Sequence, residues 1–168
     1  MVIENLNQKL PVKESALDKI FLNCTKLKKL IPDTSEHYIK RFEKAKHDLS
    51  RAIAEFQDKC WDWTVVKSYY AIHHAGNAIL SKKRGFFSKD HLCLIVALHH
   101  YKLIDKTLFS EISNLHEKFS DTFGFDFAFQ LRKISQYSVD EWKNINETDA
   151  KIMLDIAVKF VSYIEKIL

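Results

Sequence analysis

Glycine and proline are scarce in this chain, with three glycines and two prolines among 168 residues. So few chain breakers exclude a turn-rich β fold and favour long helices joined by short connections. Long apolar runs are missing too, because no stretch approaches the roughly 20 apolar residues that a membrane span needs. The N-terminus MVIENLNQKL lacks the apolar core of a signal peptide. We therefore predict a cytoplasmic protein that makes no membrane contact.

Cysteine is rare and widely spaced, since Cys24, Cys60 and Cys93 form no CxxC motif. An odd count at this spacing is typical of reduced thiols in an intracellular protein, not of a disulfide framework or a structural zinc site. The sequence has no P-loop, no GxGxxG and no HExxH motif. We predict free thiols, no metal and no other cofactor.

The residues that are present fit one globular domain. Apolar residues make up 46% of the chain and charged residues 29%, and the formal charge of +4 is a mild basic bias. That bias permits contact with nucleic acid or another polyanion without requiring it. We predict a single domain over residues 1–168, made of an N-terminal extension helix at 1–33 and a core bundle at 34–168.

Apolar residues recur at spacings of three and four along most of the chain, which is the pattern of amphipathic helices. The predicted segments are a helix within 11–33, one capped by Thr34 or Ser35, one over 61–83, one capped by Ser88 or Asp90, one beginning at Asp105, a short one between Gly124 and Arg132, and a long one ending the chain. In the second helix, we expect Ile53 to face the core and the polar face to be solvated, including Arg41, Lys44 and Asp48. In the last helix, Ile152 is expected in the core. The fold class is all-α.

The third predicted helix contains KSYYAIHHAGNAIL, residues 67–80, and has two different faces at about 100° per residue. One face is a packing stripe in which Gly76 allows a neighbouring helix to come close. The other is a polar and aromatic stripe: Trp63, Lys67, Tyr70, His74, Asn77 and Ser81. This stripe either lines a cleft or an inter-subunit seam, or it consists of buried polar groups that bond neighbouring helices. Tyr69 and His73 are expected to be architectural.

These residues resemble the HEPN domain family of prokaryotic helical bundles. The resemblance lies in YYA followed by His74, in His91 near a helix start, and in Leu131, Arg132 and Tyr137 before the last helix. It implies an up-and-down bundle of four to five helices, here with an extra N-terminal helix, that forms a homodimer. Many HEPN members are metal-independent ribonucleases, often toxins, and many are encoded beside a minimal nucleotidyltransferase, which is a possible partner.

The active HEPN motif is an arginine followed four to six residues later by a histidine, but here Tyr137 stands five residues after Arg132. A guanidinium suits a phosphate, whereas a phenol with a pKa of about 10 is a poor general base. Arg132 could instead form a surface ion pair with Asp126 or Asp140. The candidate catalytic residues are Arg132, Tyr137 and His74, and the candidate RNA- or nucleotide-binding residues are Lys67, Tyr70, Asn77 and His91.

Two functions follow from this resemblance. The first is a homodimer that binds RNA or a nucleotide between its protomers and acts as a toxin-like, metal-independent ribonuclease or as a catalytically weakened relative. The second is a non-enzymatic interaction module that docks a partner such as a minimal nucleotidyltransferase. The basic residues Lys82, Lys83, Arg84 and Lys89 could meet a nucleic-acid backbone, or they could form a solvated turn.

Overall fold

Six α-helices carry most of the residues that the computed structural model describes, which are residues 10, 13–34, 36–123 and 141–168. The helices are α1 (Glu14–Lys26), α2 (His37–Gln57), α3 (Trp61–Arg84), α4 (His91–His100), α5 (Lys106–Phe123) and α6 (Glu147–Ile167), and a 3-10 turn at Glu141–Asn144 precedes α6. The all-α fold is therefore confirmed. The predicted short helix between Gly124 and Arg132 lies outside the described residues.

Helix α3 is the centre of the bundle. It runs antiparallel to α2, because Asp33 just before α2 meets Ser81 near the end of α3, and Asp48 further along α2 meets His74. Helices α4 and α6 pack on other sides of α3. Its apolar side chains are almost fully buried, as expected for a helix that touches three others. No helix in the described ranges is long and apolar enough to cross a membrane.

Gly76 brings α4 close to α3, as the sequence predicted. A Cβ atom at this position would lie 3.1 Å from Leu98 Cδ1 and 3.3 Å from Leu94 Cδ2. Helix α3 then ends at Gly85, whose φ of 71° is the left-handed conformation that favours glycine at a helix terminus. The two glycines therefore set the spacing of α3 and α4 and the turn between them.

Two short strands, β1 (Leu30–Pro32) and β2 (Phe86–Ser88), pair antiparallel and were not predicted. The first helix was predicted within 11–33, but α1 ends at Lys26, and Lys28 has a positive φ of 53° that breaks the helical path. The chain then runs extended, with Leu30 opposite Ser88. Pairing between distant segments outweighed the local helical pattern here.

The helix starts agree in part with the predicted caps. Asp90 accepts a hydrogen bond from Cys93 N at 3.0 Å, and Asp105 accepts one from Leu108 N at 2.7 Å. At α2, however, the N-cap is Glu36, which makes no side-chain capping bond, so the predicted cap by Thr34 or Ser35 is wrong.

Two predicted core residues lie at the surface. Ile53 on α2 is 40% exposed and Ile152 on α6 is 36% exposed. The neighbouring Ala52 and Met153 are buried in their place. A shift of one residue turns a helix by about 100°, so small errors in the assigned stripe exchange core and surface.

Cys24 and Cys93 form a disulfide, so the prediction of three reduced thiols is wrong. The two cysteines are 69 residues apart in sequence, but the packing of α1 on α4 brings their Cα atoms to 5.7 Å. Sequence spacing carries no information about such a distance. Cys60, at the turn between α2 and α3, is the free cysteine.

Candidate functional site: a histidine–tyrosine cluster

Five aromatic side chains meet where α3 passes the start of α4, and we call them the histidine–tyrosine cluster: Tyr69, Tyr70, His73, His74 and His91. The ring centroids of Tyr69 and His91 are 4.7 Å apart, and those of His73 and His74 are 5.8 Å apart. Tyr70 stacks on His74 with the centroids at 6.1 Å. One helical turn separates Tyr69 from His73 and Tyr70 from His74, which places the two rings of each pair side by side.

His74 is the member of the cluster that faces a carboxylate. Its Nε2 lies 3.7 Å from Asp48 Oδ2, beyond hydrogen-bond distance, and the Asp48 side chain is only 1% exposed. Lys44 donates to the other oxygen, Asp48 Oδ1, at 2.6 Å. Asp48 Oδ2 has no hydrogen-bond partner among the described residues. A buried carboxylate therefore points one oxygen at a histidine that is 26% exposed.

Both α3 histidines favour the neutral state. Burial lowers the pKa of His74, against the opposing effect of the Asp48 carboxylate. Burial also lowers the pKa of His73 to about 4, with a smaller contribution from the neighbouring His74. A neutral imidazole has one nitrogen that can accept a proton, so His74 meets the first requirement of a general base at neutral pH.

A second buried carboxylate, Asp33, anchors the end of β1. It accepts hydrogen bonds from Arg41 Nε at 2.8 Å, His37 Nδ1 at 2.7 Å and Ser81 Oγ at 2.9 Å. Burial alone would raise the pKa of Asp33, but these bonds, led by the one from Arg41, outweigh it and lower the pKa to about 2. The Arg41 guanidinium also lies over the Phe87 ring, 4.1 Å from its centroid. Arg41 is thus fixed in place near the cluster.

Asp48 and Arg41 correct the expectation of a solvated polar face on α2. Asp48 is buried, and Arg41 joins α2 to the β1–β2 sheet. A sequence signal for Asp48 exists, because Ala45, Asp48 and Ala52 follow one another at spacings of three and four, so that the carboxylate interrupts an apolar stripe.

Asn77 lies inside the molecule rather than on a cleft. It is 1% exposed, its Nδ2 donates to the Ser88 carbonyl at 2.9 Å, and its Oδ1 accepts from Ser88 N at 2.7 Å. Both ends of its amide are therefore used to hold β2 on α3. For Asn77, the structure supports the alternative in which a polar side chain of the stripe bonds a neighbouring element.

The other predicted site residues divide into two groups. Lys67 and Tyr70 are half-buried on α3, and His91 is half-buried at the start of α4, 6.2 Å from His73 between ring centroids. Arg132 and Tyr137 lie outside the described residues. Among the described residues, no group of three or more His, Cys, Asp or Glu side chains could hold a metal ion.

The basic turn after α3 is partly engaged. Lys82 donates to the Leu168 carbonyl and lies over the Tyr38 ring, while Arg84 lies over the Tyr101 ring. Lys83 and Lys89 are exposed. This turn therefore presents fewer accessible cations than its sequence suggests.

The HEPN domain family model matches residues 38–167. The chain belongs to the HEPN domain family. No curated protein matches it. The HEPN segment includes every residue of the histidine–tyrosine cluster, together with Asp48, whereas α1 and β1 lie outside it. At the level of the family, this HEPN domain is a nuclease-related or RNA-related module or an interaction module.

Proposed function

We propose that this chain is a HEPN-type homodimer that binds RNA or a nucleotide at the histidine–tyrosine cluster and cleaves RNA without a metal, as a toxin-like ribonuclease or as a catalytically weakened relative. The observation that carries this proposal is the partly exposed, neutral His74 beside the buried Asp48 carboxylate. A base in this position can take the proton of a ribose 2′-hydroxyl, which then attacks the adjacent phosphate.

Asp48 supports this role for His74 by orienting it. A carboxylate facing Nε2 favours the tautomer that carries its hydrogen on that nitrogen, which leaves Nδ1 as the proton acceptor. Lys44 compensates the Asp48 charge at the opposite oxygen. Asp48, His74 and Lys44 together are neutral before the transfer, and the Asp48 carboxylate offsets the charge of the imidazolium that forms when His74 accepts the proton.

In this proposal, two cationic side chains, Lys67 and Arg132, bind the phosphate. Lys67 lies one helical turn before Tyr70 on α3, and Tyr70 offers an aromatic ring on which a base can stack. In the proposed dimer, Arg132 of each protomer supplies a guanidinium to the phosphate, and Tyr137 donates a hydrogen bond or stacks. His91, in ring contact with Tyr69, limits the other side of the ligand site.

Cleavage of a fluorescent single-stranded RNA in the presence of EDTA tests this function. His74→Ala is expected to reduce the rate by at least about 100-fold, the typical contribution of a general base, with little change in affinity. Lys67→Ala and Arg132→Ala are expected to weaken binding in an anisotropy titration and to reduce its dependence on salt. His47→Ala, at an exposed position of α2, serves as the control.

The outcomes separate the versions of the proposal. RNA binding without cleavage identifies the catalytically weakened relative, provided that the binding is lost in Lys67→Ala. Light scattering that shows a monomer at all concentrations contradicts the dimer. Wild-type protein that neither binds nor cleaves RNA or nucleotide contradicts the proposal as a whole.

A non-enzymatic interaction module is the second candidate, and exposed apolar residues on α2 favour it. Ile39 and Ile53 are 51% and 40% exposed, and their separation of fourteen residues places them on one side of the helix. A minimal nucleotidyltransferase is the predicted partner. Ile53→Glu should abolish co-purification with that partner, and Ile152→Glu on α6 is the matched control.

A further inference from the structure

Helix α1 lies outside the HEPN segment and is attached to it by a covalent bond. The Cys24–Cys93 disulfide joins the last turn of α1 to the first turn of α4, and the two cysteines are 4% and 5% exposed. This disulfide belongs neither to the histidine–tyrosine cluster nor to the proposed RNA chemistry. It therefore calls for a separate explanation.

The polar contacts between α1 and α4 are weak. His99 Nε2 meets Glu14 Oε2 at 3.0 Å and His100 Nδ1 meets Asp18 Oδ1 at 3.3 Å, but both carboxylates are more than half exposed. Exposed ion pairs of this kind contribute little. The strongest non-covalent contact is Phe21, which stacks on the His100 ring with the centroids 3.8 Å apart.

Helix α1 is also too short to persist alone. It has thirteen residues and buries Leu17, Phe21 and Cys24. Isolated helices shorter than about 12–15 residues are marginal in water, so α1 depends on docking against α4. The few buried apolar side chains and the cross-link therefore hold α1 itself in place, while the β1–β2 pairing holds the chain that follows it.

We propose that Cys24–Cys93 is a redox-modified site at which a dithiol reductant releases α1 from α4 while the HEPN segment stays folded. The reductant is a small dithiol or a protein that carries a reducing dithiol. The selectivity follows from the packing, because the contacts of α3 with α2 and α6 do not involve α1. Release then uncovers the side of α4 that carries Cys93.

The reaction is a thiol–disulfide exchange that balances in electrons and protons. A thiolate of the reductant attacks one sulfur of the pair, the S–S bond breaks, and the other sulfur leaves as a thiolate that takes up a proton. The second thiol of the reductant then attacks the mixed disulfide, so the reductant is oxidised to a disulfide and both cysteines become thiols. Because both sulfurs are buried, fraying of α1 must precede the attack.

Cys60 does not compete in this exchange. Partial burial and the nearby carboxylates of Glu55, Asp62 and Asp58 raise the pKa of the Cys60 thiol. Because the thiolate is the nucleophile, a raised pKa leaves little of it at neutral pH. The pair of Cys24 and Cys93 is therefore the redox site of the described part of the chain.

Hydrogen exchange of the full chain, in a Cys60→Ser background that avoids cross-linked dimers, tests the proposal. Mass spectrometry compares the air-oxidised protein with protein treated with dithiothreitol. Reduction is expected to speed exchange in residues 14–26 by at least about 10-fold, while residues 61–84 stay protected because the HEPN segment remains folded. Pulsed alkylation is expected to label Cys24 and Cys93 only in the reduced sample.

A Cys24→Ser, Cys93→Ser variant provides the control, because its α1 should exchange fast with or without reductant. Unchanged protection of residues 14–26 after verified reduction would overturn the proposal, since α1 would then dock without the bond. Loss of protection in residues 61–84 as well would also overturn it, because α1 and the HEPN segment would then unfold together. Alkylation of both cysteines before any reduction would remove its basis.

Discussion

Burial of His73 makes the fold sensitive to mild acid. Asn77 Nδ2 lies 3.1 Å from His73 Nε2 and can donate to it only while that nitrogen is unprotonated, and the buried Nδ1 has no partner among the described residues. In the folded protein the pKa of His73 is about 4, below its ordinary value. As pH falls, His73 therefore binds its proton first in the unfolded chain. We expect the free energy of unfolding to decrease by up to about 3 kcal/mol between roughly pH 6.5 and pH 4.

Urea unfolding followed by circular dichroism at several pH values measures this loss. His73→Gln retains an acceptor but has no charge to gain, so its stability should depend less on pH in this window. His47→Gln, at an exposed position, should behave as the wild type does. The same pH dependence in His73→Gln and in the wild type would show that another group is responsible. Asp33, whose pKa is about 2, loses its stabilising charge only at lower pH.

The residues of the candidate site could be predicted only in part. The stripe that includes Tyr70 and His74 follows from helical periodicity, and the structure places both residues in the histidine–tyrosine cluster. The contacts that Asp48 and Asn77 make could not be predicted in the same way. Their partners, His74 and Ser88, are fixed by packing between segments that lie far apart in sequence.

At the scale of elements, Asp33 connects the β1–β2 sheet to α2 and α3. Asp33→Ala removes the acceptor for Arg41, His37 and Ser81 together and leaves the Arg41 guanidinium without its carboxylate. Breaking a buried ion pair by removing one partner typically costs about 3–5 kcal/mol, so we expect a loss of about 3 kcal/mol in the free energy of unfolding.

Chemical denaturation of Asp33→Ala beside Asp155→Ala checks this expectation. Asp155 pairs with Lys151 on the surface of α6, where both side chains are 62% exposed. Removal of such a pair should change stability by less than about 1 kcal/mol. Equal losses in the two variants would mean that the β1–β2 sheet is not anchored by Asp33.

The close contact between α3 and α4 depends on glycine, which has no side chain, at position 76. Because a single Cβ would already approach Leu98 and Leu94 closely, Gly76→Leu cannot be accommodated without separating the helices. Overpacking of this kind costs typically about 1–3 kcal/mol, and here we expect the upper end. Thermal unfolding measures the loss, with Ser162→Leu at an exposed position of α6 as the control. Unchanged stability of Gly76→Leu would contradict the close approach.

The helices could be predicted from periodicity and capping, because those signals are local. The bounds of α3 and the caps at Asp90 and Asp105 are examples. The β1–β2 sheet could not be predicted, since each strand has three residues and is stabilised by pairing with a distant segment. The same holds for the end of α1, where the helical pattern continues in the sequence but the chain leaves the helix.

At the scale of the whole molecule, the family was predicted from the ordered set of residues, and the match over residues 38–167 confirms it. The disulfide was not predicted, because its formation depends on α1, which lies outside that segment. A family resemblance describes the shared core and carries no information about contacts made by an added helix.

The disulfide should also affect global stability, through the unfolded chain. Cys24 and Cys93 close a loop of 69 residues, and in the chain-entropy model a loop of this length stabilises the folded state by about 4 kcal/mol. We expect the Cys24→Ser, Cys93→Ser variant to lose up to that amount in urea unfolding, and Cys60→Ser to lose less than about 0.5 kcal/mol. A loss that appears only as local exchange in α1, with unchanged global unfolding, would mean that the cross-link restrains α1 alone. If the double variant instead matches the oxidised wild type in both measurements, α1 docks without the bond and the entropic estimate fails with it.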